Sequence, residues 1–188
     1  MNTLVIIEGT DNSGKDTLIR NLKNHYSNIL IDEVHFSRPR SRDNKNAALE
    51  QNESFIAYAN MINEVDDRFI VFNRAWYGEY IYGTLYRGRS KEDVEEIVKK
   101  CEEIILNKNN NVNFIQLYGD ADFLEKNDDG QSLSEGKKEV IEEEKNLFME
   151  IFDKSIIKKK IKINVTRNGE FIPQEEILNT VVELIERD

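Results

Sequence analysis

A glycine-rich segment near the start of the chain has the residue types and the spacing that hold phosphate groups. It consists of Gly9-Thr-Asp-Asn-Ser-Gly14-Lys15-Asp16-Thr17, between the apolar run Leu4-Val5-Ile6-Ile7 and an amphipathic stretch. Glycine permits a sharp turn out of a strand, after which backbone N–H groups and the positive end of the next helix attract phosphate oxygens. A glycine-rich turn with a surface lysine is the simpler alternative, but it does not explain why both glycines, Lys15 and Thr17 occur together. We therefore predict that the phosphates of a nucleotide are bound by Gly9, Asn12, Ser13, Gly14, Lys15, Asp16 and Thr17.

One position of this segment departs from the common pattern G-x-x-x-x-G-K-[ST]. Asp16 stands where a magnesium-binding hydroxyl is expected, and Thr17 follows one residue late. Mg²⁺ prefers oxygen ligands and often retains waters, so a carboxylate can serve in this place. Two interpretations stay open: Asp16 binds the metal, or Thr17 binds it while Asp16 caps the helix.

Arginines follow the second and the third predicted strands, where they would face the phosphate-binding loop. Arg38 and Arg40 lie in Phe36-Ser-Arg38-Pro39-Arg40, and Arg74 follows Asn73. The planar guanidinium donates two parallel hydrogen bonds, which suits a second phosphate group. Any one of these arginines alone is more simply explained as a solvated surface charge. Their joint placement after two strands favours a second anionic ligand.

Hydrophobic periodicity predicts alternating strands and helices that bring these segments to one edge of a sheet. Strands are predicted near residues 4–7, 29–34, 68–72, 112–118 and 160–165, and helices near 18–26, 47–65, 76–86 and 93–106. Ser132 and Glu135 form a capping box for a further long helix, and Pro173 opens the last one. This order predicts an α/β fold with a five-stranded parallel doubly wound sheet, in a single domain over residues 1–188.

The composition limits the class of protein. A chain of 188 residues, 39% of them hydrophobic, can bury one core. The net charge of -10 argues against extended contact with DNA or RNA, because such binding requires a basic face. Cys101 is the only cysteine, which excludes an intramolecular disulfide and suits a reducing cytosol. No apolar run reaches membrane-spanning length and the N-terminus enters a strand directly, so we expect a cytoplasmic protein without membrane contact.

The loop and the segment after the third strand together resemble a known family. Glu8-Gly9-Thr10-Asp11-Asn12-Ser13-Gly14-Lys15-Asp16-Thr17 matches the form E-G-x-D-x-x-G-K-[ST]-T at all but one defined position. That form is typical of the thymidylate kinase family of nucleoside monophosphate kinases. The string Trp76-Tyr77-Gly78-Glu79-Tyr80-Ile81-Tyr82-Gly83, with Tyr86-Arg87-Gly88, resembles bacteriophage-type members most closely. The resemblance covers nearly the whole chain and implies a three-layer P-loop NTPase fold, ATP as phosphate donor, Mg²⁺ as cofactor, and the host cytoplasm if a phage encodes the protein.

The resemblance also implies roles for individual residues. Asp11 takes the acidic position whose carboxylate contacts the 3'-hydroxyl of the acceptor sugar. Arg38 and Arg74 match arginines that hold the acceptor phosphate, and Arg74 also bridges to the transferred group. These two arginines and Lys15 are the predicted catalytic residues. Asn73 replaces a carboxylate that the family uses near the metal, so we interpret Asp16 and Asn73 together as a carboxylate moved across the site.

Three aromatic residues are predicted to bind the acceptor. Trp76 and Tyr82 belong to the phage-like string, and Tyr58 lies in the helical stretch that stacks on the acceptor base in the family. An aromatic residue at helical spacing is more often part of a core, so that interpretation of Tyr58 stays open. Met61 occupies the position of an arginine that is usual in the family, so a preference for thymine does not follow from the resemblance alone.

Two further regions are assigned by the resemblance. Residues 120–136 correspond to a lid over the donor phosphates, with Lys126, Lys137 and Lys138 as its only candidate cations. Arg167 stands where the family packs against the donor adenine, although an exposed charge is an equal alternative. The family further implies a possible homodimer.

The function predicted from these patterns is ATP-dependent phosphorylation of a deoxynucleoside monophosphate, dTMP or a related nucleotide. The acceptor phosphate is already anionic, so no general base is required. A deoxynucleoside kinase is the nearest alternative, and it would need a carboxylate base such as Glu33 or Glu8. The sequence Gly-Lys-Asp also leaves polyphosphate open as a donor, and the altered metal side leaves open a regulatory protein that binds nucleotides without turnover.

Overall fold

Five parallel strands form the central sheet. The computed structural model describes residues 1–36, 44–128 and 137–187. The strands are β1 Thr3–Gly9, β2 Ile31–His35, β3 Phe69–Asn73, β4 Asn111–Tyr118 and β5 Lys159–Asn164. Their order across the sheet is β2-β3-β1-β4-β5. Two short strands, β6 Thr166–Arg167 and β7 Glu170–Phe171, pair with each other in an antiparallel hairpin.

The central strand β1 is buried on both faces. Leu4 and Ile6 belong to one hydrophobic cluster, and Val5 and Ile7 belong to the other. A continuous apolar run of this kind is typical of a parallel strand that is covered on both sides. Because β1 lies between β3 and β4, the glycine-rich loop that follows it emerges at the middle of the sheet's carboxyl edge.

Helices cover both faces of the sheet, which gives three layers. Helices α1 Lys15–His25 and α7 Gln174–Glu186 pack on one face. The other face carries α2 Asn44–Glu64, α3 Tyr77–Arg87, α4 Lys91–Asn107 and α6 Lys138–Lys154. A short helix, α5 Ala121–Lys126, packs against α6. The predicted α/β fold with a five-stranded parallel doubly wound sheet is confirmed.

Two of the long helices run back from the carboxyl edge to the amino edge. Asn2, just before β1, donates its side-chain amide to the carbonyls of Ile62 and Val65, at 2.9 Å each, and so fixes the end of α2. Asn63 donates to the carbonyl of Ile104 near the end of α4, at 2.7 Å. The first turns of α2 and α4 therefore lie towards the carboxyl edge. None of the helices in the described ranges combines the length and the apolarity that a bilayer crossing requires.

The predicted boundaries differ from the structure mainly at β2. The sequence places this strand at 29–34, but Ile29 and Leu30 are 50% and 75% exposed and precede it. The N–H of Ile29 donates to the carbonyl of Tyr26 at 2.8 Å, so the turn after α1 takes up these residues. Pro173 stands at the cap position of α7, as predicted. The proposed capping box of Ser132 and Glu135 lies outside the described residues.

Candidate functional site

The phosphate-binding loop connects β1 to α1. Any side chain at Gly9 would collide with the carbonyl of Leu117 and would lie 2.7 Å from Ser13 Oγ. Ser13 is buried and donates to the carbonyl of Thr10 at 2.8 Å, which closes the loop on itself. Gly14 has a φ of 85°, in the left-handed region, and leads directly into α1. No side chain of the described residues caps this helix. A helix N-terminus with uncapped N–H groups is suited to bind an anion.

Lys15, the first residue of α1, lies inside the loop. Its side chain is buried, and Nζ donates to the carbonyls of Gly9 at 2.9 Å and Thr10 at 2.7 Å. Burial, and after it the charge of Arg74, lowers the pKa of Lys15 to about 7, against the opposing charge of Asp11. The amine is therefore enclosed by the groups that would surround a bound phosphate.

Arg74, directly after β3, is fixed beside the loop. Its φ of 67° lies in the left-handed region, and its N–H donates to the carbonyl of Ile7 at 3.1 Å. The guanidinium forms an ion pair with Asp11 and donates to the hydroxyl of Tyr82 at 2.8 Å. Burial would lower the pKa of Arg74, but Tyr82 and Asp11 hold it above its ordinary value. Strained backbone held by several contacts is typical of functional sites. The structure thus brings together three residues of the predicted acceptor side.

Asp16 and Asn73 contact each other, and a second carboxylate adjoins them. The Nδ2 of Asn73 donates to Asp16 at 2.7 Å and to Glu33 at 3.4 Å. Glu33 also pairs with Lys23 at 2.7 Å, and the hydrogen bond from Lys23 lowers the pKa of Glu33. Thr17, the alternative metal ligand, is half-buried in the first turn of α1. Among the described residues no group of three or more His, Cys, Asp or Glu side chains could hold a metal alone. The two carboxylates nevertheless offer the oxygen ligands that Mg²⁺ prefers.

Glu8, the last but one residue of β1, ties the loop to the turn that carries Arg74. It is fully buried, and its Oε1 accepts a hydrogen bond from the N–H of Ala75 at 2.6 Å. Its Oε2 lies beside Gly78 and has no hydrogen-bond partner among the described residues. Burial raises the pKa of Glu8 to about 7, although Ala75, Arg74 and Lys15 all favour its ionised form. Glu8 therefore fixes the backbone after Arg74 and keeps one acceptor oxygen unused.

Helix α6 contributes Glu144, which the sequence analysis did not single out. This fully buried carboxylate accepts a hydrogen bond from the hydroxyl of Tyr86 at 2.8 Å, and its Oε2 has no partner among the residues that the structure describes. Burial raises the pKa of Glu144 to about 7; the Tyr86 hydrogen bond opposes this and Asp11 adds to it. Its position on the apolar face of a predicted helix could have indicated this residue from the sequence. Glutamates are rarely buried unless they are paired or belong to a functional site.

Two of the predicted aromatic residues pack against other aromatic rings. Trp76 is fully buried in the core, where its ring packs against Phe72 and Tyr77. Tyr58 is 38% exposed on α2 and packs edge-on against Phe36 at 5.0 Å between ring centroids. Trp76 therefore belongs to the hydrophobic core, whereas Tyr58 remains partly exposed on α2.

Two predicted parts of the site fall wholly or partly outside the described residues. Arg38 lies outside them, and so do residues 129–136 of the lid. The described start of the lid contains α5, which ends at the exposed Lys126. Asn12 of the loop donates to Asp128 at 2.8 Å, so the lid begins in contact with the phosphate-binding loop.

Arg167 lies in the hairpin that follows β5. It is exposed and pairs with Glu176 of α7 at 2.5 Å. The hairpin contacts the lid, since the N–H of Asp120 donates to Thr166 Oγ1 at 2.9 Å. Gln174 at the start of α7 lies near the loop, with its amide nitrogen 4.0 Å from the position that a Cβ of Gly14 would take. The stacking of Arg167 on a donor base stays a prediction.

The glycine-rich loop joins the central strand of a 2-3-1-4-5 parallel sheet to a helix, and helices cover both faces. This arrangement defines the P-loop NTPase fold. Both the order of the elements along the chain and their arrangement in space therefore agree with the fold predicted from the sequence.

Solved structures share this fold, whereas no protein-family model and no curated protein matches the sequence. YorR from Bacillus subtilis, solved in complex with phosphorylated GDP, has a TM-score of 0.68 at 18% identity, covering 97% of this chain and 95% of that one. Thymidylate kinase from Candida albicans has a TM-score of 0.67 at 18% identity, covering 97% and 90%. A polyphosphate kinase 2 from Pseudomonas aeruginosa has a TM-score of 0.68 at 15% identity, covering 98% of this chain and 42% of that one. At these identities the similarity establishes the fold alone.

Proposed function

We propose that this protein transfers a phosphoryl group from ATP to the phosphate of a deoxynucleoside monophosphate, dTMP or a related nucleotide. The observation that carries the proposal is the fixed position of Arg74 beside the phosphate-binding loop, held by Asp11 and Tyr82. An arginine facing a loop that binds one phosphate group is suited to hold a second one against it. The fold shared with thymidylate kinases supports the same proposal.

On the donor side, the loop N–H groups and Lys15 would bind the phosphates of ATP. Lys15 is already bonded to two carbonyls of its own loop, so it exchanges these partners for phosphate oxygens. The nearby negative charge of a nucleotide would raise the lowered pKa of Lys15 and keep the amine protonated. The lysine then neutralises charge on the group that is transferred.

On the acceptor side, Arg74 and Arg38 would hold the phosphate, and Asp11 would accept a hydrogen bond from the sugar. The attacking oxygen belongs to a phosphate and carries charge already, so positioning and charge neutralisation are sufficient. No carboxylate base is needed in this scheme.

Asp16 and Glu33 are the groups that would hold Mg²⁺, with Thr17 as the alternative ligand on α1. When bound, the metal would neutralise phosphate oxygens and orient them. The contact between Asp16 and Asn73 gives a direct test, because two substitutions can remove the carboxylate at position 16 and place one at position 73. Asp16→Ser alone should lower turnover by roughly tenfold or more, as expected on losing one electrostatic stabiliser. Adding Asn73→Asp should restore much of it, and failure of the double variant would favour Thr17 as the ligand.

The experiment that tests the function is a coupled assay of ADP release with a panel of nucleosides and nucleoside monophosphates. Turnover of monophosphates supports the proposal, whereas turnover of nucleosides alone would indicate a kinase that uses a carboxylate base. Lys15→Ala and Arg74→Ala should each lower turnover by roughly 10²-fold. Lys99→Ala and Arg68→Ala are matched controls, because Lys99 is largely exposed, Arg68 is half-exposed, and both form surface ion pairs. Full activity of either site variant would overturn the assignment.

Polyphosphate is a second candidate for the donor, and one observation favours it. Asp16 gives the loop the sequence Gly-Lys-Asp, and polyphosphate kinase 2 structures share the fold. The net charge of -10 opposes binding of a long polyanion. Replacing ATP by polyphosphate in the assay, with ADP or a monophosphate as acceptor, decides between the donors. Nucleotide binding without turnover of any pair would instead indicate a regulatory protein.

A further inference from the structure

A depression of about 570 Å³ opens between α2, α4 and the link that joins α3 to α4. Its lining includes Ala48 and Asn52 of α2, Arg87 and Arg89 around the link, and Ile97 of α4. The first turns of α2 and α4 lie towards the carboxyl edge of the sheet. The depression is therefore on the same edge as the phosphate-binding loop and Arg74.

A buried charge cluster forms one wall of this depression. Glu79 is 4% exposed and pairs with both Arg87 and Arg89, the latter at 3.1 Å. Arg89 also donates to Asn52 Oδ1 at 3.1 Å. One carboxylate balances only one of the two guanidinium charges, and these bonds use only part of the N–H donors that two guanidiniums carry. Buried donors of this kind need further acceptors. The wall is thus built to donate hydrogen bonds.

The charge cluster is joined to Arg74 through α3. Tyr82 accepts the hydrogen bond of Arg74, and the next residue, Gly83, packs on the cluster. A Cβ at Gly83 would lie 2.7 Å from Glu79 Oε1 and 3.1 Å from Arg89 Cδ, and the N–H of Arg89 donates to the carbonyl of Gly83 at 3.1 Å. Arg74 and the depression therefore adjoin the same helix, α3.

The charges around the depression indicate which part of a nucleotide it suits. Asp93 and Glu96 also line it and oppose the two arginines, so the lining has no excess of positive charge for a further phosphate. Ala48 and Ile97 add apolar surface against which a flat ring can pack. We propose, on the basis of the proposed function, that this depression holds the acceptor base. Arg89, with Arg87, then selects an edge that presents two adjacent hydrogen-bond acceptors, as O6 and N7 of guanine do. dGMP is accordingly an acceptor for this protein.

The test compares dGMP with dTMP, both by calorimetric binding without a donor and by turnover with ATP. Arg89→Gln should raise KM and Kd for dGMP by roughly 10- to 100-fold, as expected on losing a bidentate contact to guanine, with kcat little changed. Arg89→Lys should not rescue binding, because an ammonium lacks the planar fork. Arg68→Gln, which removes a half-exposed arginine elsewhere, should leave both acceptors unaffected. Because Arg89→Gln disturbs a buried ion pair, Ile97→Trp serves as a second variant that fills the depression and leaves the charge cluster intact.

Two outcomes overturn the inference while the proposed function stands. One is turnover of dTMP by the unmodified protein with neither binding nor turnover of dGMP. The other is an equal loss for both acceptors in Arg89→Gln or Ile97→Trp. If the unmodified protein turns over no monophosphate, the proposed function fails instead. Binding of dGMP that Ile97→Trp abolishes would in that case still support the depression as a guanine site.

Discussion

Two buried glutamates on the same side of the sheet meet different surroundings. Glu102 of α4 accepts hydrogen bonds from the hydroxyls of Tyr77 and Ser155 and from the N–H of Ile156 at 3.0 Å. Glu144 of α6 accepts one, from Tyr86, and its second oxygen has no partner among the described residues. Glu102 lies among core packing, whereas Glu144 lies within the electrostatic influence of Asp11, Arg74 and Lys15.

The difference separates a buried carboxylate with several donors from one that keeps an oxygen without a partner among the described residues. A fully bonded buried carboxylate rigidifies its surroundings, whereas a partly bonded one costs stability and retains a free acceptor. Glu8 follows the pattern of Glu144, with one oxygen bonded to Ala75 and the other unused.

The largest expected effect is the loss of stability on removing Glu102. Glu102→Ala leaves two buried hydroxyls and one partly buried N–H without their acceptor and should lower the free energy of unfolding by about 3 to 5 kcal/mol. Urea unfolding followed by circular dichroism measures it. The neighbouring Glu103→Ala is the control, since Glu103 is exposed, and it should stay within about 0.5 kcal/mol of the parent. If Glu102→Ala lowered the free energy of unfolding by less than about 1 kcal/mol, Glu102 would not stabilise the fold in the way that distinguishes it from Glu144.

The next effect is a dependence of stability on pH that Glu144 causes. Its pKa is about 7 in the folded protein, raised from 4.5, so the folded state binds the proton more tightly. The stabilisation is fully present below pH 4.5 and is lost as the pH rises through about 7. The difference should approach about 3 kcal/mol. Glu144→Gln should flatten this part of the profile, measured by urea unfolding between pH 5 and 8, and the exposed Glu143→Gln should not. An unchanged slope in Glu144→Gln would mean that Glu144 is ionised throughout.

A smaller effect comes from the tyrosines that serve the two glutamates. Tyr77→Phe removes one of three donors to Glu102 and should lower the free energy of unfolding by about 1 to 2 kcal/mol. Tyr86→Phe removes the only described donor to Glu144 and should shift the midpoint of the pH profile upward, because that hydrogen bond lowers the pKa of Glu144. Unfolding at several pH values measures both. A downward shift in Tyr86→Phe would contradict this account of Glu144.

The smallest effect on stability is expected at the exposed pair of Arg167 and Glu176. Arg167→Gln should leave the free energy of unfolding nearly unchanged, because surface ion pairs contribute little. Its effect on KM for ATP tests the predicted stacking on the donor base. Glu176→Gln is the matched variant that removes the same ion pair without the guanidinium. Equal KM values in both variants and the parent would leave Arg167 as a surface charge only.

The fold class and the loop could be predicted because both depend on local patterns. Each of these patterns can be recognised within a few residues: the apolar runs, the helical periodicity and the glycines around Lys15. The order of the strands is not, because it depends on pairings such as β1 with β3 and β4 that only the folded chain shows. The placement of Arg74 beside the loop followed from where the third strand ends, whereas Asp11 and Tyr82 were assigned to the acceptor side by the family resemblance. The structure brings these three residues together.

The distinction between Glu102 and Glu144 could not be predicted. In sequence, each is a glutamate among the apolar positions of an amphipathic helix. Their partners Ser155 and Tyr86 lie 53 and 58 residues away, so the number of donors that reach each carboxylate is a property of the tertiary structure. Trp76 is a different case. The string of residues around it suggested a contact with the acceptor, but in the structure its indole ring packs in the core.

The carbonyl contacts of Lys15 have a consequence for measurements of ligand binding. The loop supplies internal substitutes for phosphate oxygens, in the carbonyls of Gly9 and Thr10. A nucleotide that binds Lys15 thus displaces these carbonyls from the amine, and the heat released reflects the difference between two sets of bonds. The affinity that Lys15 contributes is set by competition, so a substitution that weakens the internal contacts can tighten nucleotide binding without touching the nucleotide.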